Sequence, residues 1–406
     1  MFLSNGLMGK VIAYNGTEVV GEDGTELAPA YHQAADGGAC IPKADGGYYY
    51  VSNSEQGEYP EGFDIEKDDA DPTYRADFSD SLTGGAYSLE FNKDHELIGH
   101  QQILANTAGN CAGGATPWGT WVSCEERREF GRCWQTDPAG VVEAKPTEVT
   151  GPRGVKDYGY WEAIAYDEET GMVYTTDDDY VKEAGQPAFR GALVRYTPDK
   201  AAKACLEADA DADKWCTLES GSVAYLRLDE CEDGKFSWVA DIEDSNPAMC
   251  EGSEGVHVEN GILTFVTIVE KMIFELDLAE KTYTKRPVPF TQEPDNIRGF
   301  GGTMYICTDG DHEPGDAVWA VDAKGSYRLF HEEGHNYPAG VAFSPDGMRM
   351  FASMWGEATW MFWREDGLAF DDENAGITYE VLLGEEPGTA VAAEESDGAV
   401  DISKAP

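Results

Sequence analysis

The chain has 406 residues, 77 of them acidic and 29 basic, which gives a formal net charge of −48 at pH 7. A surface this negative repels nucleic acid and anionic lipid, so neither is an expected partner. The hydrophobic share of 41% allows a sizeable core, but the longest apolar run, Gly261 to Val269, falls far short of the roughly 20 residues a membrane-spanning helix needs.

Along the chain, the start Met1-Phe2-Leu3-Ser4-Asn5-Gly6 carries neither a basic stretch nor an extended apolar one, and no intact signal peptide is expected. Gly47 to Asn53 follows an Asp-Gly-Gly turn, is rich in aromatic and β-branched residues, and predicts a strand. Glu58 to Asp80 predicts a long polar loop, and Gly84 to Phe91 another strand. Pro117 to Glu126 predicts a rigid turn and one short strand. Trp161 to Tyr166, the turn Asp167 to Gly171, and Met172 to Asp178 predict a hairpin, with Gly191 to Tyr196 beside it. The same pattern recurs at Gly255 to Val258 with Ile262 to Val266 and Met272 to Leu276. It returns at Asp295 to Arg298 with Thr303 to Asp309 and Ala317 to Val321, and at Ala339 to Phe343 with Met348 to Ser353 and Thr359 to Trp363.

A unit of strand, Asp-Gly turn, strand, loop and strand, repeating at roughly 40 to 60 residues, is the signature of a propeller. The reading is all-β: a single six-bladed β-propeller over residues 1–383 with acidic loop insertions, followed by an acidic tail over 384–406 expected to be flexible. In such a fold the first strand of each blade lines a central channel, and the strand ends meet at one face.

Residues at equivalent blade positions are rich in oxygen ligands: Glu55, Glu125 or Glu126, Glu162, Glu254, Asp295 with Asn296, and the run Asp177-Asp178-Asp179. Carboxylates converging on one axis suit a hard cation, Ca²⁺ above all. Cys124, beside Glu125 and Glu126, would add a soft ligand suited to iron or zinc. Any one of these acids, taken alone, reads more readily as a solvated surface group than as a ligand, and Cys124 reads equally well as a buried structural cysteine. Nine cysteines are present; Cys205 with Cys216 and Cys231 with Cys250 are the expected local disulfides. His331 to His335 matches a zinc-protease motif, but Gly334 and Pro338 disfavour the helix it requires. Asp209 to Asp213 opens like a calcium-binding loop, but Lys214 replaces the required glycine.

The run Asn110-Cys111-Ala112-Gly113-Gly114-Ala115-Thr116-Pro117-Trp118-Gly119-Thr120, leading into Cys124-Glu125-Glu126, resembles the signature of the PhoX-type alkaline phosphatase family. The likeness extends from about Asp36 to Trp363, through Val51 to Glu55, Glu162, Thr176 to Asp179, Pro294 to Asn296, Cys307 to Gly310 and Ser344 to Gly347. It implies an extracellular or periplasmic monomer that hydrolyses small phosphate monoesters with calcium and ferric iron (Ca²⁺, Fe³⁺) at one end of the channel. In that picture Cys124 bridges two irons, Glu125, Glu162 and Glu254 hold iron or calcium, and Glu55, Asp178, Asp179 and Asp295 hold calcium, with Asn296 beside them.

Three departures qualify the likeness. Gly252-Ser253-Glu254 stands where the family usually reads Arg-Pro-Glu, so a phosphate-binding arginine is lost. Trp161-Glu162 stands in place of His-Glu, and Tyr337 where an acid is usual. Arg298 or Arg190 could supply the missing guanidinium. Two rival readings follow: a non-catalytic calcium-binding propeller with an adhesive or surface role, and a calcium-dependent lactonase-like hydrolase.

Overall fold

The computed structural model describes residues 2–4, 7–127, 130–151, 159–179, 193–199, 214–229, 234–246, 250–310, 315–331, 337–355, 358–364 and 377–380. The innermost strands of successive antiparallel sheets are β1 (Ala35–Pro42), β2 (Asn110–Ala115), β3 (Trp161–Tyr166), β4 (Ser253–Glu259), β5 (Glu293–Phe300) and β6 (Pro338–Phe343). Each packs against the next, and β6 packs against β1 again. The fold is all-β and propeller-like, as the alternation of strands and Asp-Gly turns predicts. Among the described residues the one α-helix is Ile65–Ala70.

The sheets grow outward through hairpins. β1 is followed by Tyr48–Ser54, Gly84–Phe91 and Leu97–Thr107. β2 is followed by Trp121–Glu125, Cys133–Thr136 and Lys145–Pro146. The sheets begun by β3 and β4 are joined at their outer edges, where Gly234 and Lys235 pair with Tyr283 and Thr282. The sheet of β6 is completed by an early strand, Met8–Tyr14, which pairs along Ala358–Trp363 and ties the beginning of the chain to its end.

Because every sheet has a neighbour on both faces, the core is a set of wedges between sheets. Tyr48, Tyr50, Leu89 and Phe91 of the β1 sheet interlock with Ala342, Phe351 and Met361 of the β6 sheet. Tyr305, Cys307 and Val318 of the β5 sheet meet Val341, Trp360 and Phe362 in the same way. Strands buried on both faces do not alternate apolar and polar residues, and β6 is buried at every position.

Ala35–Pro42 and Asn110–Ala115, both inner strands, each contain a Gly-Gly pair. The glycines serve close backbone approach: a side chain on Gly114 would run into the Ile164 carbonyl of β3. Glu58 to Asp80 is more than a polar loop. Asp64 caps the helix Ile65–Ala70, accepting from the Glu66 and Lys67 amides. A 3-10 helix, Pro72–Phe78, follows, and Phe63, Tyr74 and Phe78 pack with Tyr59 and Phe130 into a small aromatic core.

Of the two expected cysteine pairings, one changes and the other falls outside the described residues. Cys250 is a buried free thiol, while Cys231, Cys205 and the side chain of Cys216 lie outside the described residues, as does the acidic tail. His331 ends a strand, Ser326–His331, and the rest of its motif is not described, nor is Asp209 to Asp213.

Gly114→Ala should lower unfolding free energy by about 3 kcal/mol, because neither backbone can yield and overpacking costs about this much. Urea unfolding reads the change; a loss below about 0.5 kcal/mol, the size of an ordinary surface substitution, would contradict the close packing of β2 on β3.

Candidate metal centre

The same irregularity occurs near the start of each inner strand. Between Ala35 and Gly38 the chain takes three steps while its partner takes two, from Ser54 to Ser52. The count is the same from Asn110 to Gly113 opposite Glu125 to Ser123, from Trp161 to Ile164, from Ser253 to Val256, from Pro294 to Ile297 and from Ala339 to Ala342. Each is a bulge of one extra residue, which bends a strand and re-aims its side chains. The residue entering the bulge is Asp36, Cys111, Glu162, Glu254 or Asp295 in the first five sheets and Gly340 in the last. The residue after the paired position on the partner strand is Glu55, Glu126, Asp178, Ile268 or Asp309, and Met354 in the last. One backbone device, repeated around the ring, therefore delivers acids to one channel mouth.

These acids, Cys111 and Ile268 line a cavity of about 160 Å³ together with Glu293 and Tyr337. Ligand-capable atoms come within 4.8 Å of one another in three overlapping groups: Asp36, Cys111 and Glu162; Glu55, Cys111 and Glu126; Glu162, Glu254 and Asp295. No lysine, arginine or histidine lines this cavity among the described residues. The charge of Arg127 acts on Glu55, but its guanidinium donates to the Glu126 carbonyl at 2.8 Å and the Gly57 carbonyl at 3.1 Å.

Without a balancing cation the acids hold their protons strongly. Burial raises the Asp36 carboxyl well above its usual value, and the charges of Asp295 and Glu55 raise it further. Burial does the same to Glu162, aided by Asp295 and Asp36, and to Glu254, aided by Asp178 and Glu162. Asp295 is raised by burial and then by Asp309, and the Cys111 thiol by burial and then by Asp36 and Glu162. Glu162 Oε1 is buried without a hydrogen-bond partner among the described residues. Burying so many acids with nothing to offset them is unfavourable unless a cation joins them. The donor set fits such ions: carboxylate oxygens suit a hard cation such as calcium, and a thiol among them suits iron.

Of the residues anticipated from sequence, Glu55, Glu162, Asp178, Glu254 and Asp295 line the cavity. Cys124 does not. It is bonded to Cys133 on the adjacent strand and fully buried with Val122, Ile164 and Val173 between two sheets, so it offers no thiolate. Glu125 is also turned away. Its Oε1 accepts from Arg75 Nη1 and Tyr59 Oη at 2.8 Å and from the Ala108 amide at 2.9 Å, and its Oε2 accepts from the Arg132 amide and Trp134 Nε1 at 3.1 Å. The physical reason is that residues inside the second strand face neighbouring sheets; only past its last ladder pair does the chain reach the channel, at Glu126.

Asn296 is occupied as a brace, donating to Asp295 Oδ1 at 2.8 Å and accepting from the Gly340 amide at 2.8 Å. Asp179 is buried outside the cavity lining. Arg298 lies further down the channel, where its charge acts on Cys40 and His257, and Arg190 lies outside the described residues.

The sequence reading picks out neither Cys111 nor Asp36 as a ligand, and it offers Glu126 only as the alternative to Glu125. A signal was available: the residue entering each bulge precedes a small or short-chain residue, as in Asp36-Gly37, Cys111-Ala112, Glu162-Ala163, Glu254-Gly255 and Asp295-Asn296. Gly252 also has a local cause. Its φ is +64°, and a side chain there would meet the Ile268 side chain, so an arginine is disfavoured by backbone and packing alike.

In the metal-free protein the native state holds protons on these acids that the unfolded chain has released above about pH 4. Stability from this source is present at low pH and is lost as pH rises through the raised values. His32 and His100, lowered by burial to about 3 and about 4, pull the other way over part of that range. The measurement is therefore a difference: the gain in melting temperature on adding calcium to chelator-treated protein should grow from pH 5 to pH 8. A gain that is flat or shrinks with pH would contradict a cation site among these acids.

A family model described as alkaline phosphatase PhoX matches residues 19–308. No curated protein matches the chain. Among solved structures, PhoX of Pseudomonas fluorescens in complex with vanadate, a transition state analogue, has a TM-score of 0.63 at 13% identity, over 90% of this chain and 97% of that one. A gluconolactonase from Xanthomonas campestris has a TM-score of 0.47 at 15% identity, over 82% and 86% of the two chains. A virginiamycin B lyase from Staphylococcus aureus, in a catalytically inactive form with quinupristin, has a TM-score of 0.43 at 11% identity, over 82% and 96%.

Proposed function

The chain belongs to the PhoX alkaline phosphatase family, and on that footing we propose that it hydrolyses small phosphate monoesters at a calcium- and iron-binding centre in the channel mouth. The observation that carries this reading is the cavity in which Asp36, Glu55, Glu126, Glu162, Asp178, Glu254, Asp295 and Asp309 converge around the Cys111 thiol with no cationic side chain among them. We read the successive sheets as six blades of one propeller spanning residues 1–383, with the bulge repeated in each sheet as the support for that count.

In this reading Cys111, with Asp36, Glu126 and Glu162 around it, holds iron, while Glu55, Asp178, Glu254, Asp295 and Asp309 hold calcium. When bound, such cations supply positive charge for phosphoryl oxygens and lower the pKa of water. Hydrolysis joins the oxygen of water to phosphorus, breaks the bond to the ester oxygen, and releases an alcohol and phosphate. The protein's own part is positional. Asn296 holds the Asp295 carboxylate in one orientation, and Trp355 Nε1 donates to Glu55 Oε2 at 2.8 Å. Ile268, where four of the other sheets carry an acid, leaves part of the wall apolar.

The disulfide between Cys124 and Cys133 supports a location outside the reducing cytoplasm. A second reading, a calcium-binding propeller without catalysis, is favoured by one feature: Gly252 and Ile268 leave no room for the guanidinium that family members usually bring to phosphate.

Metal analysis of the purified protein, followed by turnover of p-nitrophenyl phosphate, separates the two. Calcium with iron and measurable turnover is expected; calcium alone and no turnover would leave only the second reading. Cys111→Ala should remove iron and activity while the protein stays folded. Cys124→Ala should keep its metal and lose about 2 to 4 kcal/mol of stability, the usual contribution of a disulfide. If Cys124→Ala loses iron and Cys111→Ala does not, the two thiols have been assigned the wrong way round.

A further inference from the structure

We propose that Tyr337 donates a hydrogen bond from its hydroxyl to a phosphoryl oxygen of the substrate, an assignment that rests on the phosphatase reading above. A phosphate ester entering this cavity meets carboxylates on nearly every side, and ionised carboxylates only accept hydrogen bonds. Bound cations can offset the charge, but they do not supply an oriented N–H or O–H. Gly252 brings none, Arg127 is engaged by the Glu126 and Gly57 carbonyls, and Arg298 lies elsewhere in the channel. Among the described lining residues, those other than Cys111, already assigned to iron, and Tyr337 are acids and Ile268. Tyr337 is the one neutral hydroxyl among the described residues of the lining.

Its placement suits the role. Tyr337 lines the cavity together with Asp36, Glu55 and Asp309, whose charges act on its hydroxyl. The ring is stacked on Trp355, with centroids 5.4 Å apart and planes 23° from parallel. Trp355 is itself fixed: its indole N–H donates to Glu55 Oε2 at 2.8 Å, its amide donates to the Tyr337 carbonyl at 3.0 Å, and its carbonyl accepts from Asn15 at 3.0 Å. A donor held this way loses little freedom when it meets a ligand, and preorganised donors stabilise developing charge best. A phenol also brings no positive charge of its own, so it can sit among carboxylates without being captured as an ion-pair partner.

Tyr337→Phe removes one oxygen and leaves the ring stack in place. In calcium- and iron-loaded protein, kcat/KM for p-nitrophenyl phosphate should fall about 10- to 100-fold, the range for losing one hydrogen bond to a charged oxygen. Inhibition by orthovanadate should weaken by a similar factor, while metal content and melting temperature stay at wild-type values. Unchanged kcat/KM and unchanged vanadate inhibition overturn the proposal and leave the phosphatase reading standing. If the wild-type protein turns over no ester, the phosphatase reading fails, and calorimetric binding of orthovanadate to the loaded proteins decides the role of Tyr337. Binding at least 10-fold weaker in the variant supports the donor, and equal binding overturns it.

Discussion

Mutual repulsion among buried carboxylates at the channel mouth is the constraint on which the rest of this structure depends. Nine acids line one small cavity, and no cationic side chain stands among the described residues of its wall. Left alone they would either take up protons or force the inner strands apart. The ring resists the second outcome because each inner strand is packed between two neighbours and backed by a wedge of aromatic and aliphatic side chains. The scaffold thus pays in advance for a site that a cation completes, which is the usual logic of a binding centre that is less stable than its surroundings.

The bulge is the structural means. A regular strand would send alternate side chains to the two flanking sheets and none down the axis. One extra residue near the start of each inner strand breaks that alternation at a single place, and there the side chain turns into the channel. The small residues that follow let adjacent inner strands close in behind it. Where the pattern lapses it does so locally: Gly340 enters the sixth bulge and accepts the Tyr50 hydroxyl on its carbonyl, and Ile268 replaces an acid beside Gly252. Those lapses leave Ile268 and Tyr337, which is stacked on Trp355, among the acids of the lining, so they bear on what enters as much as on what binds the metal.

Glu125 illustrates how a neighbour of the site can be structural. Its carboxylate is saturated by donors from the helical insertion and from its own sheet, and Arg75 bridges it to Asp68 at 2.8 Å. Paired and hydrogen-bonded this completely, a buried charge is stable. The network pins the folded Tyr59-to-Phe78 insertion against the second sheet, and the next residue along the chain, Glu126, stands in the cavity.

The sequence by itself determined the class of fold, since β-rich segments and Asp-Gly turns recur at a near-regular interval, and it also marked most of the acids at the channel mouth. Glu55, Glu162, Asp178, Glu254 and Asp295 were legible because each follows or opens a recognisable strand. Which thiol joins them was not legible. Cys111 sits in a glycine-rich run with no acid beside it, and Cys124 sits beside two glutamates that look like co-ligands. Only the tertiary structure separates them, because the choice depends on which strand is innermost and on where one extra residue breaks the alternation of side chains. Both are properties of the packed ring and not of any local stretch of chain.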